Sequence, residues 1–252
     1  MQNGLKQQFA EKWERFFRSA SLPICLFYTN DEQQAEPVKP YPGMHCLIRD
    51  LARVRAGESL SFASNTIGCA GGRCYLGFAQ RLRPDFNYFL SCGIPGQLAG
   101  ERYKASQELV AEQFKREPHM PAPAGLIVFK RWDKLAESDD PAVVIFFAQP
   151  DVLSGLFALA NFDESDSQAV VAPMGSGCSS IVHYPYRELQ SSHPRAVLGM
   201  FDVSARPWVP PGELTLAIPW PKFLRMVSEM DESFLVTESW SKVMMRISPA
   251  GS

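Results

Sequence analysis

The feature that most constrains the fold of this chain is a series of apolar runs of strand length, separated by segments with helical periodicity. The longest run, at residues 142–148, is the length of a buried strand and far shorter than the roughly 20 apolar residues of a membrane-spanning helix. Alternation of such strands with helices predicts an α+β or α/β fold, a mixed sheet with helices packed on it. We expect one compact domain over residues 1–252, with a possible subdivision near 118–124, and we find no internal repeat.

Charge excludes two classes of partner. The chain has 25 Lys and Arg against 27 Asp and Glu, a formal net charge of −2, and no basic block. Nucleic acids and anionic membranes both require a clustered basic surface, so neither is expected as a partner. A small molecule or a redox partner fits this composition, and no oligomeric state is predicted.

The six cysteines call for a reason other than disulfide bonding. The first 19 residues form an amphipathic segment that carries Glu11 and Glu14, and so lack the apolar core of a secretory signal. We therefore expect a cytoplasmic protein, in which thiols stay reduced. Clustered cysteines in that compartment more often serve metal or redox chemistry.

A glycine-rich stretch at residues 65–100 holds three of these cysteines. Cys69 and Cys74 bracket Gly71 and Gly72 in GCAGGRC, Cys92 follows in FLSCGIPG, and Cys178 lies far along the chain in MGSGCSS. Thiolates ligate iron–sulfur clusters, and glycine lets the backbone approach the sulfides closely. The predicted metal ligands are Cys69, Cys74, Cys92 and Cys178. Alternatively, these cysteines are small buried core residues.

The two remaining cysteines have different predicted roles. Cys25 lies among apolar neighbours in a predicted strand, so we assign it to the core. Cys46 follows His45 at the start of a predicted helix, a position that favours the thiolate. Cys46 is therefore the alternative ligand, in place of Cys74 or Cys92.

A second glycine-rich turn, GSGCSS at residues 175–180, follows a predicted strand. The backbone N–H groups of Gly175 and Gly177 and the hydroxyl of Ser179 could bind an anion there. With Gly71 and Gly72, these residues form the predicted cofactor-binding set. A different hypothesis makes Cys178 a nucleophile with His183 as its base, and a plain tight turn is a further alternative.

Other polar groups give weaker signals. The four histidines are scattered, and neither an HExxH motif nor a His-x-His pair exists, so a histidine-based zinc enzyme is not expected. Asp202 and Arg206 in GMFDVSARPWV could line a cleft, although a structural salt bridge between them is the simpler interpretation.

Long segments of the chain, from about Pro23 to Trp240, resemble the bacterial and archaeal family called domain of unknown function 169. The segments are GCAGGRCYLGF, FLSCGIPGQLAGERYKASQELV, RWDKL, VVIFFAQPDVLSGLFALANFD, PMGSGCSSIVHYPY, PRAVLGMFDVSARPWVP and SFLVTESW. The resemblance implies a soluble prokaryotic protein and is compatible with a bound cluster. It also implies that Cys46, Cys69 and Cys178 are the more typical cysteines, and Cys74 a less typical one.

Together these observations predict a protein that binds an iron–sulfur cluster or metal through cysteines in glycine-rich loops. The alternative is a module that binds a small molecule or anion at the turn of residues 175–180, without a cluster. No catalytic residue is assigned.

Overall fold

An eight-stranded mixed sheet forms the centre of the molecule. The computed structural model describes residues 2–40, 43–79, 84–117 and 119–247. The strands in chain order are β1 (Ile24–Thr29), β2 (Glu36–Pro37), β3 (Ser59–Ala63), β4 (Leu126–Arg131), β5 (Val143–Ala148), β6 (Val170–Val171), β7 (Ala196–Gly199) and β8 (Leu214–Pro219). Across the sheet their order is β2-β3-β4-β1-β5-β8-β7-β6.

Helices cover both faces of the sheet, which confirms the predicted α+β class. In the described part of the chain they are α1 (Gln2–Phe16), α2 (Leu47–Arg55), α3 (Ala70–Tyr75), α4 (Phe86–Phe89), α5 (Gln107–Arg116), α6 (Pro150–Ala160), α7 (Tyr184–Glu188), α8 (Trp220–Glu229) and α9 (Glu238–Ile247). A π-helical turn, Ser179–His183, leads directly into α7. Short 3-10 turns follow β4, β7 and α8, at Trp132–Lys134, Arg206–Trp208 and Phe234–Val236.

The sheet is built from two halves with the same topology. The first half contains β1 to β4 and the second β5 to β8, and in each half the spatial order from the centre outward is first, fourth, third and second strand. The outermost pair of each half is parallel, and all other described pairs are antiparallel. At the centre β1 pairs antiparallel with β5, and Cys25 lies opposite Val144. The topology therefore has a pseudo-two-fold axis, a repeat that the sequence does not reveal.

Two hydrophobic layers sandwich the sheet. On β5, Val144 and Phe146 belong to the layer under α1, α6, α8 and α9, while Ile145 and Phe147 belong to the opposite layer under α2 and the π-helical turn. Because both faces of β5 are buried, its sequence is continuously apolar rather than alternating. The second layer supports the connections between β2 and β3 and between β6 and β7.

The connection from α3 to β4 differs from its prediction. The periodicity of residues 101–117 predicts one helix over that range, but α5 begins at Gln107, where the Ser106 hydroxyl accepts the Leu109 N–H as a helix cap. Within the glycine-rich stretch, expected to be loops, α3 and α4 form instead. Strands from both sides of residues 118–124 belong to one sheet; residue 118 itself lies outside the described residues.

Candidate functional site

A cavity of about 390 Å³ lies on the second face of the sheet. Four connections form its wall: the loop before α2, the loop that begins α3, the turn before the π-helical segment, and the loop after β7. Residues 84–117, which we call the cap segment, close the cavity from the other side. The volume falls within the range of small-molecule and cofactor sites, roughly 300–1,000 Å³.

Three of the six cysteines line this cavity, namely Cys46, Cys69 and Cys178. Each is the residue immediately before a helical segment: α2, α3 and the π-helical turn, respectively. Three connections that are distant in sequence therefore present their thiols to one space.

The start of α3 brings two of the sulfur atoms together. A Cβ atom built on Gly72 would lie 2.8 Å from the Sγ of Cys69 and 3.9 Å from the Sγ of Cys178. The Gly72 N–H donates to the Cys69 Sγ at 3.1 Å. A side chain at this position would compete with the sulfurs for space, which explains glycine within a helix despite its low helix propensity.

Equivalent connections in the two halves carry the same short motif. Gly43-x-x-Cys46 precedes α2 between β2 and β3, and Gly175-x-x-Cys178 precedes the π-helical turn between β6 and β7. The repeat in topology therefore places one cysteine of each half at the cavity.

Burial dominates the acidity of these thiols. It raises the pKa of Cys46 and of Cys69, although backbone N–H groups of Ile48 and Gly72, respectively, partly oppose the shift. The pKa of Cys178 is raised well above its usual value, first by burial and then by the neighbouring Cys69, Cys46 and Asp202. The three thiols are therefore protonated at neutral pH unless a cation is bound among them.

Asp202 supplies a carboxylate to the same cavity. Its Oδ2 accepts the Gly177 N–H at 2.9 Å, and its Oδ1 accepts the Ser204 N–H at 3.0 Å and the Ser204 hydroxyl at 2.8 Å. The expected salt bridge with Arg206 is wrong, because that guanidinium donates instead to the carbonyls of Pro210, Pro211 and Glu213.

The glycine turn is closed largely on itself. Gly175 and Gly177 line the cavity, but Ser179 is buried, and its N–H and hydroxyl bond to the Oγ and carbonyl oxygen of Ser176. Asp202 already occupies the Gly177 N–H. An external anion at this turn would therefore meet a carboxylate, which is unfavourable unless a cation lies between them.

The cap segment contributes an apolar lobe. Nine of its residues line the cavity. Five are apolar, namely Phe86, Phe89, Leu90, Val110 and Phe114, and four are polar or charged, namely Glu101, Tyr103, Lys104 and Gln113. Of the side chains on α4 and α5, Val110 alone is fully buried. Few described hydrogen bonds join this segment to the body, among them Gln113 to the Met174 carbonyl at 3.2 Å.

The other predicted ligands lie elsewhere. Cys74 is buried further along α3 and does not line the cavity, and burial raises its pKa to about 11. Cys92 is exposed in the loop after α4, with its sulfur 3.9 Å from the Ser91 hydroxyl. His183, the predicted base for Cys178, is buried against the rings of Tyr75 and His119 and does not line the cavity.

Comparison with known families identifies the chain at the family level. The profile of the domain of unknown function 169, described as an uncharacterised ArCR, matches residues 14–229. The chain belongs to this family. That description names no activity, so membership of the domain of unknown function 169 does not indicate a particular reaction or ligand.

No curated protein and no solved structure matches the chain. Across residues 2–40, 43–79, 84–117 and 119–247, no helix is long and apolar enough to span a membrane. Within the same residues, no three His, Cys, Asp or Glu side chains are arranged to hold a single metal ion.

From the sequence, Cys46 was predicted only as an alternative ligand, and Asp202 as a partner in a structural salt bridge. The G-x-x-C spacing occurs at Gly43, Gly71 and Gly175, so this spacing alone does not distinguish Cys46 from Cys74, which does not line the cavity. No comparable signal marks Asp202, since its position depends on which connections meet in the fold.

Proposed function

We propose that this protein holds an iron–sulfur cluster in the cavity, ligated by the thiolates of Cys46, Cys69 and Cys178. The observation that carries the proposal is the convergence of three thiols, from three separate connections, on one cavity. Relative to the sequence prediction, Cys46 replaces Cys74 and Cys92, which do not line that space.

The distribution of the thiols favours a cluster over a single zinc ion. Zinc in a structural site requires about four ligands, each roughly 2.0–2.3 Å from one point. No three candidate ligands of the described residues are arranged in that way. The irons of a cluster instead take their ligands at separate positions, so thiols spread over a cavity wall suit it better.

The protein's own groups suit the charge that thiolate ligands carry. The Gly72 N–H already bonds to the Cys69 sulfur, and such bonds stabilise the thiolate form and tune the potential of a cluster. Because burial raises the pKa of all three thiols, metal loading must release protons. A bound cluster would supply one-electron transfer or Lewis-acid chemistry, and the cap segment would limit the access of water.

A second candidate is the binding of a small molecule in the same cavity without a cluster. The aromatic and aliphatic side chains of the cap segment favour it, because apolar surface lines most ligand pockets. This candidate does not account for three thiols on the opposite wall.

The deciding experiment measures iron, zinc and acid-labile sulfide, with a visible spectrum, on protein purified without oxygen. We expect stoichiometric iron and sulfide in the unmodified protein and a loss of most of both in Cys46→Ser, Cys69→Ser and Cys178→Ser. Cys92→Ser is the matched control, because this exposed thiol lies outside the cavity and its loss should change nothing.

Unchanged iron in Cys69→Ser and Cys178→Ser would overturn the proposal. Protein that stays free of metal after reconstitution with iron and sulfide would also overturn it and leave the small-molecule candidate. That candidate would then predict a saturable rise in melting temperature with an apolar ligand.

A further inference from the structure

We propose that Asp202 is the fourth protein ligand, so that a four-iron cluster is held by three thiolates and one carboxylate. This inference rests on the proposed cluster and specifies its ligand set. It follows from the place of Asp202 in the cavity wall and from the two-fold arrangement of the connections around it.

The Asp202 carboxylate is held rigidly at the cavity. Its Oδ1 accepts the N–H and hydroxyl of Ser204, with the Tyr103 hydroxyl at 3.4 Å. Its Oδ2 accepts one described hydrogen bond, from the Gly177 N–H, which leaves that oxygen a lone pair to donate. Ligating carboxylates are typically fixed in this way by surrounding hydrogen bonds.

Asp202 also lies beside Cys178 in the cavity wall, because its Oδ2 accepts the N–H of Gly177, the residue just before that cysteine. Cys46 and Cys69 line the same cavity. A half-buried carboxylate that shares a cavity with three thiols gains no favourable charge interaction from them; with iron among them, all four groups become ligands.

The pseudo-two-fold axis gives an independent argument. Cys46 and Cys178 lie in equivalent connections, each before the helical segment that precedes the next strand. The following connection carries Cys69 at residues 64–69 in the first half and Asp202 at residues 200–205 in the second. Ala205, rather than a cysteine, stands directly before the helical turn there. Both halves therefore bring this second connection to the cavity, and in the second half its candidate ligand is Asp202, three residues before the position equivalent to Cys69.

A carboxylate ligand would make one iron different from the other three. Carboxylate oxygen is a harder and weaker donor than thiolate toward iron, so the iron bound to it is the one most easily lost or exchanged. The carboxylate also raises the reduction potential relative to that of a cluster with four thiolate ligands, because a cluster with fewer thiolates is easier to reduce.

The test compares Asp202→Ala and Asp202→Cys with Asp140→Ala, a control that removes an exposed carboxylate outside the cavity. Purified without oxygen, the unmodified protein should hold about four irons and four sulfides per chain, and Asp202→Ala about three irons with the sulfide unchanged. Electron paramagnetic resonance should then detect a three-iron cluster in oxidised Asp202→Ala. Asp202→Cys should keep four irons, with a midpoint potential lower than that of the unmodified protein.

Four irons and an unchanged spectrum and potential in Asp202→Ala would overturn this inference alone. If Asp202→Ala does not fold, the midpoint potential of Asp202→Cys decides. A purely structural role for Asp202 predicts an unchanged potential in that variant when the cluster is retained, and an unchanged potential would overturn this inference. Absence of a cluster from the unmodified protein would instead refute the proposed function, and this inference with it.

Discussion

The two halves of the sheet share a topology but differ in what connects their last two strands. In the first half, residues 76–125 separate α3 from β4 and include the cap segment. In the second half, residues 209–213 join the equivalent 3-10 turn to β8. The scaffold is therefore nearly symmetric, whereas the candidate site is not. Each half brings one G-x-x-C cysteine to the cavity, but the first half alone supplies the cap.

The halves also differ at single equivalent positions inside the protein. Cys25 pairs with Lys130, and Val144 pairs with Ile218; because Cys25 and Val144 face each other across the centre, Lys130 and Ile218 are equivalent. At such a pair of positions, the residue of one half can be replaced by the residue that the other half carries, and the effect of the exchange can be measured. Two substitutions, Lys130→Ile and His183→Leu, use this comparison.

The largest effect is expected at the buried ion pair of the first half. Lys130 donates to both carboxylate oxygens of Asp139, at 2.7 and 2.9 Å, and both side chains are almost fully buried. Asp139→Ala leaves a buried ammonium without its carboxylate, which we expect to lower the free energy of unfolding by about 3–5 kcal/mol. Urea unfolding measures this loss.

The second half suggests the rescue. Adding Lys130→Ile, which copies Ile218, should restore most of the stability lost in Asp139→Ala, because an apolar pair of similar volume replaces a buried ion pair at little cost. The control is Asp133→Ala, which removes the more exposed pair with Arg131 and should cost about 1 kcal/mol or less. A loss in Asp139→Ala no larger than this control would show that the buried pair contributes little.

The next effect depends on pH. His183 lies five residues after Cys178, as Leu51 lies five residues after Cys46, and both side chains are buried. Burial, with the charges of His119 and Arg187, lowers the pKa of His183 to about 4. The unfolded chain therefore binds a proton as the pH falls below about 6.5, whereas the folded protein does not until about pH 4.

Stability should accordingly be complete above pH 6.5 and fall as the pH drops toward 4, by up to about 3 kcal/mol from this group. His183→Leu, which copies the first half, should flatten that part of the curve of unfolding free energy against pH. His193→Ala, at an exposed site, should leave the slope unchanged. A slope that survives in His183→Leu would assign the dependence to other groups.

The sequence predicted elements whose signals are local. The strand predicted from the apolar run at residues 142–148 is confirmed as β5 (Val143–Ala148), because a continuous apolar run marks a strand that is buried on both faces. By contrast, α3 was missed because two of its six residues are glycine, which disfavours a helix locally. Its formation depends on the close approach of Gly72 to sulfur atoms, which is a tertiary effect.

The candidate site was predicted only in part, again because its formation depends on tertiary contacts. Cys69 and Cys178 were chosen for their glycine neighbours, and the fold does bring them to one cavity. Cys92 has similar neighbours but lies in an exposed loop. Local composition does not distinguish them, because the meeting of two connections is set by strand order. The matching G-x-x-C motifs become informative only when the two halves of the sheet are recognised as equivalent.

The smallest effect is expected at adjacent glycines of α3. A Cβ on Gly72 would lie 2.8 Å from the Cys69 sulfur and 3.1 Å from Ile67, so Gly72→Ala must displace a rotatable side chain at a cost of about 1–2 kcal/mol. A Cβ on Gly71 would meet nothing closer than the Tyr75 ring at 3.8 Å, and Gly71→Ala should be neutral or stabilise the helix by up to about 1 kcal/mol. Thermal unfolding separates the two variants. Alanine keeps the backbone N–H that bonds to the Cys69 sulfur, but its Cβ would press on that sulfur, so Gly72→Ala should also reduce iron loading while Gly71→Ala does not. Equal loading in both variants would mean that crowding at Gly72 sets the packing of α3 and not the position of the thiol.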